Sequence, residues 1–149
     1  VNPHHAFVIM TKEKYWIQFR ERSQEGKIEH SFVLRGAAPP KNTRILLFYV
    51  SAPVKALDGY AEFMERKVGD PERVWNEYGN ESVLKSEERF RELVGNPHQV
   101  SFIRFKNLKK ATNPVPLSNL RMFLGVKRLS RKGFYVNKDD AEKLVSLME

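Results

Sequence analysis

Residues Tyr49-Val50-Ser51-Ala52-Pro53-Val54-Lys55-Ala56-Leu57-Asp58-Gly59-Tyr60-Ala61-Glu62-Phe63 decide the fold. The uncharged run from Ile45 to Val50 leads into them, and such a run reads as a strand buried on both faces, central to a sheet. Ser51-Ala52-Pro53 breaks it. From Val54 to Phe63 the chain is read as extended, with Leu57, Gly59, Ala61 and Phe63 on one face and Asp58, Tyr60 and Glu62 on the other. Gly59 suits a bulge or a sharp bend of a barrel, where a side chain would obstruct the neighbouring backbone.

Upstream, Ala6 to Met10 is an apolar run of strand length, and Thr11 stands where it can cap a helix beginning at Lys12. Tyr15, Trp16 and Phe19 would share a face of that helix, although Tyr15, Ile17 and Phe19 also alternate as in an extended segment, and Glu25-Gly26 ends the element. Lys27 to Arg35 alternates as a half-buried strand, with Ile28, His30, Phe32 and Leu34 on one face. Gly36 to Asn42, holding Pro39-Pro40, is a loop.

Downstream, Asp70-Pro71 starts a helix with Val74, Trp75 and Tyr78 inward and Gly79 at its stop. Ser86 starts another, with Phe90, Leu93 and Val94 buried and Gly95 closing it. Val100 to Phe105 is a strand, Asn113 to Pro116 a proline-bounded loop, Leu117 to Leu124 a short helix, and Phe134 to Val136 a late strand. Asn137 caps a last helix that turns Ala141, Leu144, Val145 and Met148 inward. About six short strands with helices between them give an α+β fold around a mixed, curled sheet. No repeat or linker divides residues 1–149, so a single domain is expected.

The fifteen-residue core resembles the strand-turn-strand of archaeal ASCH and related PUA-like proteins, whose pattern runs Tyr-x-Ser-x-Pro-Val-Lys-x-Ile/Leu-x-Gly-x-Ala-Glu. The element order over about residues 6 to 136 is also similar, including a Gly-Lys corner at Gly26-Lys27, and EVE-type proteins share it. The resemblance implies a PUA-like β-barrel and a role in binding RNA or modified bases, although a fold does not fix a function.

Charge points the same way. The 26 Lys and Arg against 18 Asp and Glu give +8, unevenly spread. Residues 58 to 100 carry 6 basic and 10 acidic groups, whereas residues 101 to 138 carry 10 basic and none acidic. A stretch of cations without a carboxylate cannot neutralise itself, so it faces solvent, the acidic segment or a polyanion. A charged fraction of 30% also suits a heat-adapted surface. The nucleic-acid-binding residues expected are Lys27, Arg35, Lys55, Tyr60 and Glu62 around the core, with Arg104, Lys106, Lys109, Lys110, Lys127, Arg128, Arg131 and Lys132 from the basic stretch. Tyr60 would stack on a base, Glu62 accept from its amino group, and Arg35 or Lys55 hold a phosphate.

The leading expectation is a noncatalytic module for RNA or modified nucleic acid. Some ASCH proteins resemble amidohydrolases of acylated nucleosides that use a corner lysine, a hydroxyl and a core glutamate. Lys27, Ser31 and Glu62 are the nearest matches, although the threonine of the Gly-x-Lys-Thr-x-Glu-x-Arg run is missing. A third reading is a protein-interaction module in which the basic stretch docks on an acidic partner or on the chain's own acidic segment.

Without cysteine there is no disulfide, Cys zinc site or thiol nucleophile. His4, His5, His30 and His98 lack metal-ligand spacing, and there is no phosphate-binding loop, dinucleotide fingerprint or Gly-x-Ser-x-Gly elbow, so no metal or cofactor is expected. No apolar run approaches the roughly 20 residues that span a bilayer and no signal-like leader is visible, so a cytoplasmic chain without a membrane partner is expected. Oligomeric state leaves no mark on the sequence.

Overall fold

The computed structural model describes residues 3–149. Its elements run β1 (Ala6–Thr11), α1 (Glu13–Gln24), β2 (Glu29–Arg35), β3 (Ile45–Val50), β4 (Ala56–Gly69), α2 (Pro71–Tyr78), a single turn at Gly79–Glu81, α3 (Glu87–Val94), β5 (Val100–Pro116), α4 (Leu117–Leu124), β6 (Phe134–Val136) and α5 (Lys138–Met148). The strands form one sheet in the order β2-β5-β4-β3-β1-β6. The β1 and β3 strands are parallel, and every other pair is antiparallel.

Period-2 alternation divides the apolar residues between the two faces of this sheet. Val8, Leu47, Tyr49 and Leu57 pack against Leu120 of α4 and Ala141, Leu144 and Met148 of α5. Phe7, Ile9, Leu46, Phe48 and Phe105 pack against Trp16 and Phe19 of α1. A third cluster, Val74, Phe90, Val94, Val100 and Phe102, seats the α2–α3 insert on the end of β5. As read, β3 is flanked on both sides, and its pairing with β4 slips at Phe48/Tyr49, with a matching slip between β4 and β5 at Leu57/Gly59. The bulge splits the face expected to hold Leu57, Ala61 and Phe63: Leu57 packs with Tyr60 on the side of α4 and α5, whereas Ala61 and Phe63 pack on the side of α1. A Cβ at Gly59 would lie 2.5 Å from the Lys109 carbonyl oxygen and 2.6 Å from the Trp16 ring. Asp58 beside it accepts from Trp16 Nε1 at 2.9 Å and Lys110 Nζ at 2.6 Å, tying α1, β4 and β5 at one point.

Four further expectations are corrected. The sheet is curled and open, not a closed barrel: β2 and β6 are its two edges, and three-residue β6 offers too short a ladder to close on β2. The last strand before α4 does not stop at Phe105. It runs to Pro116, so Asn113 to Pro116 is strand, held by Leu57↔Val115 and Ala56↔Pro116 pairing to β4. Thr11 ends β1 and does not cap α1; its hydroxyl donates to the Lys12 carbonyl, and Lys12 occupies the cap position. Leu93, expected inside, is 47% exposed.

His30 lies inside, edge-on to Phe19 and stacked on Phe105 at 5.4 Å, and neither ring nitrogen has a side-chain partner. Burial lowers its pKa to about 4; Lys27 and Arg22 add to the effect, while the Lys27 backbone and Glu81 oppose it. The unfolded chain keeps the ordinary value, so between pH 6.5 and about 4 it binds the extra proton and stability falls as pH falls. Urea unfolding across that window is expected to show a loss on the order of 3 kcal/mol, at about 1.4 kcal/mol per pKa unit. His30→Phe should flatten it, and an unchanged slope would refute the assignment.

Candidate nucleic-acid interface

The cationic stretch splits in two. In its first half, Arg104 is the best-held cation, its side chain only 12% exposed. The guanidinium donates through Nε and Nη2 to the two carboxylate oxygens of Glu81, each at 2.9 Å, and through Nη1 to Glu65. Glu29 lies 3.6 Å away, and the Tyr78 ring lies 4.7 Å from the guanidinium carbon. Ser31 Oγ, fully buried, donates to Glu81 Oε1 at 2.8 Å. Burial alone would raise the Glu81 pKa, but the hydrogen bonds from Arg104 and Ser31 outweigh it and hold the carboxylate below its ordinary value. Arg104 is raised in turn, chiefly by its hydrogen bond to Glu81.

Two more cations of this half are spoken for. Lys110 Nζ donates to Asp58 at 2.6 Å, and Lys106 Nζ lies 4.0 Å from Glu62, which also accepts from Asn107 Nδ2 at 2.8 Å. Asp58, Glu62, Glu65 and Glu81 all belong to the acidic segment, so three of the four cations of this half, Arg104, Lys106 and Lys110, are paired within the chain. Lys109 is exposed.

The second half is different. Arg121, Lys127, Arg128 and Arg131 line a cleft of about 470 Å³ together with Met10, Tyr49, Leu117 and Leu129, and none of these groups is a carboxylate. Among the described residues Arg121, Lys127, Arg128, Arg131 and the neighbouring Lys132 form no ion pair within 4.0 Å. The cleft is built by short-range geometry. The αL residue Gly125 ends α4, and Arg121 Nη1 donates to the Lys127 carbonyl at 3.1 Å, fixing the loop that carries Lys127 and Arg128. Burial raises the Tyr49 pKa and the nearby Arg121 charge opposes it, so its hydroxyl is held in the protonated, donating form. Lys55, exposed in a left-handed conformation (φ 50°) at the end of the proline turn, accepts through its backbone carbonyl from the N–H of Leu117, a residue of the cleft lining, at 2.9 Å.

The remaining expected residues are dispersed. Ser31 and Arg35 line an apolar cavity on the other side of β1, while Lys27 lines a shallow depression with Arg22, Glu25 and Lys85. Tyr60 donates to Glu149 Oε1 at 3.0 Å, and its pKa is raised first by burial and then by that carboxylate. The structure therefore does not bring Lys27, Ser31 and Glu62 together: the carboxylate bonded to Ser31 is Glu81, and Glu62 is two strands away. The sequence reading missed Tyr49, Arg121 and Glu81 as members of these clusters. Arg121 could have been found, because it lies one helical turn after Leu117 within the carboxylate-free stretch.

No protein-family model matches the chain. It is 26% identical over 132 residues to an ASCH domain-containing ribonuclease of Zymomonas mobilis, covering 89% of this chain and 87% of that one. The crystal structure of ASCH from Zymomonas mobilis shares its fold with a TM-score of 0.79 at 20% identity, over 98% of this chain and 97% of that one. A serine-to-alanine variant of that protein gives 0.78 at 21% identity over 100% of both chains. An open, curled sheet with this strand order, helices on both faces and this proline turn is the architecture that the chain shares with those structures. Its fold is the ASCH fold, as the core stretch implied.

Arg104→Ala is expected to cost about 3–5 kcal/mol in urea unfolding, because it strands the Glu81 carboxylate away from water without its partner. Lys106→Ala, at an exposed pair, should cost less than about 1 kcal/mol. Equal effects would contradict the division drawn here between structural and free cations.

Proposed function

We propose that this chain binds RNA through the cleft bordered by Tyr49, Lys55, Arg121, Lys127, Arg128 and Arg131. One observation carries the reading: four cations converge there without a carboxylate, while Arg104, Lys106 and Lys110 before them in sequence are paired to carboxylates of the chain itself. Unpaired guanidinium and ammonium groups that share a concave surface attract phosphates at successive positions, and Arg offers them paired donors. The Zymomonas relative is named a ribonuclease, which supports RNA as the polyanion.

That name also favours a second reading, in which the same cleft cleaves the RNA. The ribose 2′ hydroxyl would lose its proton to solvent water and attack the adjacent phosphorus, the P–O5′ bond would break with the 5′ oxygen taking up a proton, and a 2′,3′-cyclic phosphate would remain. The cations would stabilise the charge that gathers on the phosphorus oxygens, and the Tyr49 hydroxyl is the candidate proton donor. The amidohydrolase reading lacks this support, since its three candidate residues are apart.

Binding of a single-stranded RNA, measured by fluorescence anisotropy, is expected to fall with salt at a log–log slope of about −3 for four phosphate contacts. Arg128→Ala and Arg131→Ala should each lower affinity and flatten the slope by about 0.7 with the melting temperature unchanged. A flat salt dependence, or no binding in low salt, would refute the proposal. The cleavage reading is checked by incubating labelled RNA with the wild type and Tyr49→Phe. Cyclic-phosphate ends formed only by the wild type support it, and intact RNA in both leaves a noncatalytic binder.

A further inference from the structure

Of the five large apolar side chains exposed among the described residues, three gather where α4 meets α5: Met122 (83%), Leu147 (53%) and Val126 (43%). A single exposed apolar residue is ordinary, but a gathered set marks a contact surface. The end of α4 builds it. Gly125 N–H donates to the Met122 carbonyl at 3.2 Å and Val126 N–H to the Arg121 carbonyl at 3.1 Å, a pairing that folds Val126 back beside the last helical turn. Phe123 of that turn and Leu147 of α5 share a groove of about 510 Å³ with Glu142, Lys143 and Ser146. The RNA-binding cleft does not use this groove. Arg121 lines the cleft and Phe123, two positions on, lines the groove, so the two concavities lie on opposite flanks of α4.

Charge differs in sign across the groove. On the α4 side, residues 117–132 carry five cations and no carboxylate, and Lys127 directly follows Val126. On the α5 side, residues 139–149 carry four carboxylates and the single cation Lys143. Asp139, Glu142, Lys143 and Ser146 fall at i, i+3, i+4 and i+7, one exposed stripe of the helix. Among the described residues Asp139 and Asp140 form no ion pair within 4.0 Å, nor does Lys127, and Glu142 meets only Lys138 of its own helix, at 3.9 Å. Within one chain, then, unpaired charges of opposite sign are held apart by an apolar strip.

A basic peptide would answer the carboxylates alone, and an acidic one the cations alone. The surface that answers all three parts has them in reverse order, and this chain presents that surface when it is turned over. We propose that two copies of the chain associate through this groove, about a two-fold axis that runs along it. That axis sets Met122, Phe123 and Leu147 of each copy against the same strip of the other, and brings Lys127 of each to the first turns of the other's α5, with Asp139 and Glu142. An axis across the groove would instead oppose cations to cations. The inference is independent of RNA binding, because the apolar strip lies outside the cleft.

Sedimentation velocity on protein freed of nucleic acid is expected to show the mass rising from the 17.4 kDa of one chain toward twice that value, as concentration rises from about 1 to about 100 μM. Met122→Glu and Leu147→Glu, both at exposed positions, should each hold the mass at one chain with the melting temperature unchanged. Lys127→Glu should weaken association by about 10-fold or more, since it sets a carboxylate against carboxylates. A mass that stays at one chain throughout, a mass that climbs past two chains as an open head-to-tail contact would, or a dimer indifferent to both the Met122 and Leu147 variants overturns the proposal. Association left unchanged or strengthened by Lys127→Glu overturns the two-fold axis on which it stands.

Discussion

The bond between Arg104 and Glu81 holds the rest of the molecule to its shape. The guanidinium comes from the middle of β5 and the carboxylate from the turn after α2, so a fork-on-fork contact fastens the helical insert to the sheet. Both groups lie out of water, and such a pair is specific because neither partner tolerates the loss of the other. Ser31 of β2 donates to the same carboxylate, and the Arg22 guanidinium of α1 donates to the Ser82 carbonyl next to it. The strap from Gly79 to Leu84 is thus tied to both elements that it faces across the apolar cavity. Without that fastening the cavity would have no outer wall.

This one pair also explains the charge pattern. A cation on a half-buried strand needs a carboxylate within reach, and the acidic middle segment supplies it at Glu65 and Glu81, as Asp58 does for Lys110. The excess positive charge of the stretch is left to its later part, between α4 and β6, where no carboxylate lines the cleft. Ten cations with no carboxylate between them in the sequence therefore have two meanings, and only packing separates them. The self-neutralising reading holds for Arg104, Lys106 and Lys110, and the polyanion reading is left with Arg121 to Lys132.

Much of the fold was legible because local rules agreed with the global one. Asp70, Ser86 and Asn137 each accept from the backbone N–H three residues on, as their side chains suggested. The buried run Ile45 to Val50 and the bulge at Gly59 follow from apolarity and from the absence of a Cβ. What failed was set by distant partners. Nothing local distinguishes Lys109 to Pro116 from a loop, and it is strand because β4 is long enough to pair with it. Thr11 has a cap's chemistry, but pairing with Val50 keeps it in β1. Closure of a barrel depends on whether two remote edges meet, and no stretch of sequence states that.

The candidate site was legible in composition and not in position. Counting charges found the right stretch, yet it could not show that Arg104 is a structural cation and Arg121 a free one, since both are arginines among apolar neighbours. The difference arises from the sheet. The β5 strand carries its cations across to β4 and its carboxylates, whereas α4 turns Arg121 toward the end of β3 and the loop that follows. Because β1 and β3 run parallel, their ends emerge side by side, with Met10 opposite Tyr49, and the groups of both concavities converge there.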